Sequence, residues 1–326
     1  MKITFRKLLI LIAMCIILPF SGKSQPYPKC GPYPGLTPLE NFDQLHYNYP
    51  VKHQVLGANT DIAYIDEGKG EQTIIFIHGL GSYLPAWNKN VAALKDHYRV
   101  IAIDLPGYGK SSKLPHSGRM SYYAGAVAAF IRAQNLENVY LAGHSMGGQI
   151  AMTAALNHPE LVKGLILIAP AGFERFNEGQ KQWFREVMTV DGVMKTPAED
   201  IINNLAVNFY NMPDDAEFMI TDRLAMRSAT DFEAYCYAVV QSVHGMVDEP
   251  VIEMLPQITQ PTLIIFGEKD NLIPNRFLNP GFTRKIAEFG HSKIKNSQLV
   301  MVEKAGHFVQ FEKPEEVNKA IRAFIR

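Results

Sequence analysis

YLAGHSMGGQIAM (140–152) sets a serine between two glycines, where an apolar run gives way to helix-forming residues. Val139 to Leu141 lead into Ser145, and Gln149, Ile150 and Ala151 leave it as a helix, so the serine falls on a sharp strand-to-helix turn. Such a turn forces the serine backbone to positive φ and leaves no room for side chains two residues before and after it. Gly143 and Gly147 supply that room, and Gly148 and Ala151 let the helix lie close to the sheet. The plainer alternative is a glycine-rich turn with an incidental hydroxyl. With strand and helix both in place, Ser145 is read as a nucleophile.

TIIFIH (73–78), RVIAID (99–104), VYLAG (139–143) and GLILIA (164–169) are short, rich in β-branched residues and apolar on both alternating faces. Runs of that kind suit central parallel strands covered by helices. Helical patterns lie between them at Pro85–Asp96, Ser121–Gln134 and Met146–Asn157, the last stopped by His158-Pro159. Strand and helix alternate, which predicts a doubly wound parallel sheet. Val51–Leu56 and Asp61–Glu67, joined by turn-forming Gly57-Ala58-Asn59, read as an antiparallel edge pair. From Phe173 to Pro256 the buried-strand pattern stops, and amphipathic segments punctuated by Gly192, Thr196-Pro197, Pro213 and Gly245 predict an all-helical insertion. The sheet resumes with PTLIIFGEKD (261–270) and SQLVMVEKAGH (297–307), and Pro314 opens a last helix to Phe324.

A serine hydroxyl is a weak nucleophile until a base takes its proton. His307, after the final strand, is the candidate base; His144, next to Ser145 on a tight turn, is expected to point away, and it and His158 read as packing or surface residues. A carboxylate must hold the imidazole in one tautomer. Asp270, at the carboxyl end of the penultimate strand, is preferred, with Glu174 the main rival and Glu268, Asp248 and Asp104 further candidates. Flanked by Pro106, Gly107 and Gly109, Asp104 reads as a turn residue bonding local backbone. The oxyanion of acyl transfer needs preorganised donors, for which the N–H groups of Met146 and Leu80 are the candidates. His78 either touches substrate or, as such residues more often do, orients the Gly79–Gly81 loop.

FIHGLGS, DLPGYGKS, GHSMGG, LIIFGEKDNLIP and KAGHFVQFEKPEEV, spread over roughly residues 50–326, resemble successive signatures of the α/β-hydrolase fold superfamily in its order Ser, Asp, His. The resemblance implies an α/β fold with a mostly parallel eight-stranded sheet and an inserted helical lid. It also implies Ser145, Asp270 and His307 as the triad, Leu80 and Met146 as oxyanion donors, and no cofactor. Epoxide hydrolases and haloalkane dehalogenases of this fold carry aspartate where this chain has Ser145, which argues against both. The stretch NRFLNPGFTRKIAEFGHSKIKNS between Asp270 and His307 is longer than usual for such proteins.

The 326 residues carry 32 Lys+Arg against 32 Asp+Glu, so no net field draws the chain to nucleic acid or an anionic membrane. Lys2, Arg6 and Lys7 before the uncharged Leu8–Phe20, with Gly22 and Ser24 after it, predict a signal peptide over 1–24 and a secreted or periplasmic protein, a retained anchor being the alternative. Residues 25–50 are expected to be a Pro-rich leader, 51–172 and 257–326 the core, and 173–256 the lid. Cys30 and Cys236 either pair or stay separate, and no CxxC or HExxH pattern suggests a metal. The expected activity is cleavage of a small-molecule carboxylic ester with an apolar acyl chain, by an esterase or lipase, acylglycerols included. The alternatives are a carbon-carbon bond hydrolase of the meta-cleavage-product type and a hydrolase-fold binding protein.

Overall fold

A computed structural model describes residues 36–57 and 60–325; the expected signal peptide and Cys30 lie outside the described residues. The eight strands are β1 Lys52–Leu56, β2 Thr60–Glu67, β3 Thr73–Ile77, β4 Arg99–Ile103, β5 Val139–His144, β6 Gly164–Ile168, β7 Thr262–Gly267 and β8 Ser297–Val302. They form one sheet in the order β1-β2-β4-β3-β5-β6-β7-β8. β2 alone runs against its neighbours; every pairing from β4 to β8 is parallel. Every residue of β3, β5, β6 and β7 is buried, as expected for strands covered on both faces, whereas the terminal strands β1 and β8 are largely open.

Helices α1 Asn88–Leu94, α2 Met120–Ala133, α3 Met146–Asn157, α9 Thr283–Lys293, the single turn α10 Val309–Glu312 and α11 Pro314–Phe324 flank the sheet. α1 packs on α11 and α2 on α3. Between β6 and β7 come α4 Glu178–Val187, α5 Val190–Met194, α6 Ala198–Ala206, α7 Glu217–Met226 and α8 Phe232–Asp248, with no strand among the described residues of this stretch. Local chemistry explains several boundaries: Asn177 and Gln180 close a capping box on α4, and Thr189 caps α5 through Gly192 N–H. Gly245, read as punctuation, instead lies inside α8, where a Cβ would stand 2.1 Å from the Gly118 carbonyl oxygen. That glycine marks a close approach of backbones and not the end of a helix.

Part of the expected leader belongs to the packed core. Phe42, Leu45 and Tyr47 are buried, and the Tyr47 hydroxyl donates to the carboxylate of buried Asp104. Asp104 also accepts from the N–H groups of Leu84 at 2.7 Å and Lys110 at 2.8 Å, the turn-binding role read for it.

β3 and β5 are neighbours, but the chain leaves β3 toward β4 on one side and reaches β5 on the other. Loops leaving their carboxyl ends therefore diverge and open a crevice, the place where open α/β sheets bind ligands. β7 and β8 end on the same edge, with Gly267 in register with Val302, which brings the loops carrying Asp270 and His307 to that crevice.

Candidate active site

Ser145 follows β5 directly and precedes the first turn of α3, with φ 54° and ψ −119°. A non-glycine residue there is strained, and the surroundings hold it in place. Its N–H donates to Ile168 O at 3.0 Å, while its carbonyl accepts from Gly148 N–H at 2.9 Å and Ala171 N–H at 2.9 Å. A Cβ on Gly143 would stand 2.2 Å from Gly147 O, and one on Gly147 2.2 Å from Ile77 O, so both positions exclude any larger residue.

His307 is buried and its Nδ1 lies 2.8 Å from Asp270 Oδ2. The other carboxylate oxygen of Asp270 accepts from the N–H groups of Leu272 at 2.8 Å and Ile273 at 3.1 Å, which fixes the plane of the carboxylate. Ser145, His307 and Leu80 all line one cavity of about 890 Å³. Among the described residues, the N–H groups of Leu80 and Met146 donate to no protein acceptor. Met146 opens α3, whose N-terminal N–H groups and dipole favour negative charge. Of the five residues singled out in the sequence, Leu80, Ser145 and His307 line the cavity, Asp270 reaches it through its bond to His307, and Met146 follows Ser145 in the chain.

The rival acids lie elsewhere or bond elsewhere. Glu268 pairs with Arg284 and Asp248 with Arg185. Glu174 lines the cavity, but its Oε1 accepts from Asn275 N–H at 2.8 Å and Asn279 Nδ2 at 3.3 Å. Burial pushes its carboxyl up to about 7 against those hydrogen bonds, and the negative Asp270 adds to the rise. The folded state therefore keeps a proton that the unfolded state releases near the ordinary carboxyl value of 4.5. Its contribution to stability is complete below that value and is lost as pH rises toward about 7. Urea unfolding of Glu174→Gln against the native chain should expose this difference: from pH 5 to pH 8 the native chain should lose on the order of 2 kcal/mol more stability than the variant. Equal losses in the two proteins would contradict the shift.

His78 orients its loop, the second of the two roles considered for it. It is fully buried, its Nδ1–H donates to Gly79 O at 2.8 Å and its Nε2 accepts from Leu105 N–H at 3.0 Å. Burial lowers its pKa to about 4, in keeping with that neutral tautomer. His144 departs from expectation. Although it is a packing residue, it turns toward the site: its Nε2–H donates to the His307 carbonyl at 3.0 Å and the two rings are 4.7 Å apart. Burial, and secondarily the neighbouring imidazole of His307, hold it well below the usual histidine range. Adjacency to Ser145 argued against this contact, and no local spacing indicates that two residues 163 positions apart are joined.

Sequence reasoning also passed over Arg223, on α7. It lines the cavity with its guanidinium 5.1 Å from the centroid of the Tyr235 ring, close to Gly81 of the β3 loop. Its Nε is buried without a hydrogen-bond partner, and among the described residues no carboxylate lies within ion-pair distance of the guanidinium. A charge on an amphipathic helix reads as a solvated face unless the fold is known.

The strained strand-to-helix turn at Ser145, the crevice and the strand order are those of the α/β class of hydrolases. A profile of the α/β hydrolase fold matches residues 72–314, and the chain belongs to that family. It is similar to the Bacillus subtilis protein named uncharacterized hydrolase YugF, with 27% identity over 80% of this chain and 92% of the relative. It is also similar to 2-hydroxy-6-oxononadienedioate/2-hydroxy-6-oxononatrienedioate hydrolase 1 of Pseudomonas putida, with 27% identity over 84% of this chain and 95% of the relative. Among solved structures it resembles the esterase of Exiguobacterium antarcticum, with TM-score 0.71 and 25% identity over 84% of this chain and 98% of that one.

Proposed function

We propose that the chain is an exported serine hydrolase that cleaves carboxylic esters through an acyl-enzyme on Ser145. The observation that carries this reading is the buried His307–Asp270 pair, which shares one cavity with a strained Ser145. In the proposed reaction His307 Nε2 takes the Ser145 proton as Oγ attacks the ester carbonyl, and the N–H groups of Leu80 and Met146 hold the oxyanion. The same imidazole gives its proton to the leaving alkoxide. Water then attacks the acyl carbon with His307 as base, releasing the acid and restoring Ser145. Phe184, Val193, Ile201 and Met219 from the helical segment line the cavity and support its reading as a lid that receives an apolar acyl chain. Hydrolysis of p-nitrophenyl esters from acetate to palmitate tests the proposal; a chain inert toward the whole series would count against it.

Arg223 favours a second reading, carbon-carbon bond hydrolysis of a substrate that carries a carboxylate. An unpaired cation in a partly closed cavity is best satisfied by an anion, and guanidinium suits a carboxylate in bidentate geometry. The Pseudomonas putida relative is named for a dioate, a dianionic substrate. Arg223→Gln is therefore expected to raise KM by about 10- to 100-fold for esters or diketones with a carboxylate, and by less than about threefold for neutral p-nitrophenyl acetate. Equal effects on both would remove the cation from substrate selection.

A further inference from the structure

We propose that Glu312 is a positioning residue that locks the backbone of His307 to the helical segment between β6 and β7. The inference rests on reading His307 as the base and concerns what keeps that base in place. Glu312 ends the short α10, five residues after His307. Its Oε2 accepts from Gly306 N–H at 2.7 Å and from Tyr210 N–H at 3.1 Å, and its Oε1 accepts from Asn211 N–H at 2.6 Å. One carboxylate thus joins the residue before the base to a loop about a hundred positions away in sequence.

The contact continues on either side of the base. Phe308 N–H donates to Asn208 O at 3.0 Å, and the Phe209 ring stacks on Phe308 with centroids 5.3 Å apart. Gly306 admits this approach, since a Cβ there would lie 2.6 Å from Asn208 O. Asn271, next to Asp270, donates through Nδ2 to Val207 O at 3.2 Å. Residues 207–211 therefore dock on both loops that carry the imidazole-carboxylate pair, while the His307 carbonyl accepts from His144 Nε2–H.

An ionised carboxylate accepts three N–H bonds without offering a donor, which a glutamine amide cannot do. In Glu312→Gln the amide NH₂ must face at least one backbone N–H, so the clasp loosens while the side-chain shape is kept. Misplacing a catalytic group by about 1 Å costs on the order of a hundredfold in rate. Motions of the helical segment that admit substrate must then spare 207–211, because that loop moves as one piece with the base.

The test compares the full chain, Glu312→Gln, and Glu315→Gln at an exposed position of α11 as control, in p-nitrophenyl butyrate kinetics and in hydrogen exchange. The expected result for Glu312→Gln is a kcat lowered about 10- to 100-fold with KM within about twofold. Amides of residues 207–211 and 306–308 should lose protection together, and Glu315→Gln should match the native chain in both readouts. An unchanged kcat despite that joint loss would overturn the proposal, leaving Glu312 as a loop fastener only. Loss of protection on one side alone would also overturn it. If the native chain does not turn over the ester, the functional reading fails, and exchange alone decides whether the two loops are coupled through Glu312.

Discussion

Ser145→Ala should lower ester turnover by about 10⁴- to 10⁶-fold, with thermal stability within a few degrees of the native chain. Only the Oγ is lost. The N–H of Ser145, which bonds Ile168 O, and its carbonyl, which takes Gly148 and Ala171, keep the elbow in shape. In the proposed reaction, residual activity comes from the N–H groups of Leu80 and Met146 and the cavity, which still bind a developing tetrahedral centre for attack by water. Retention of activity within about tenfold of the native chain would assign the nucleophile to another group.

Asp270→Asn should cost about 10⁴-fold in kcat, the loss associated with a wrong imidazole tautomer. The two oxygens of Asp270 are not equivalent here. Oδ1 is held by the N–H groups of Leu272 and Ile273, so an asparagine must keep its carbonyl oxygen there. Its NH₂ then faces His307 Nδ1, which becomes an acceptor, and the proton moves to Nε2, the atom that receives the serine proton in the proposed reaction. Glu174→Gln provides the comparison, because Glu174 bonds the 275–279 loop and not the imidazole. Its kcat should fall by less than about tenfold. A collapse in Glu174→Gln with little change in Asp270→Asn would exchange the roles of the two acids.

The fold was legible because the buried strands announce themselves: β3, β5, β6 and β7 are apolar runs with no solvent face. The elbow was legible for a different reason, since only glycine fits at 143 and 147. Long-range contacts gave no comparable signal. Nothing near Phe42 or Tyr47 shows that the expected leader reaches the core, where Tyr47 meets Asp104 fifty-seven positions away. His144 likewise looked like a residue turned away from the site, because the His307 carbonyl that orders it comes from another loop. Arg223 and Glu312 are ordinary helix charges until the cavity and the 207–211 loop are in place. In each case the residue acts on a distant backbone, and spacing along the chain carries no trace of that.

The most direct measurement is mass spectrometry of the chain after incubation with diethyl p-nitrophenyl phosphate, which leaves a stable phosphoryl group on an activated serine. One diethylphosphoryl group per chain is expected on the peptide containing Ser145, and none in Ser145→Ala. Ester turnover in a native chain that takes no adduct at Ser145, or takes it on another residue, would contradict it.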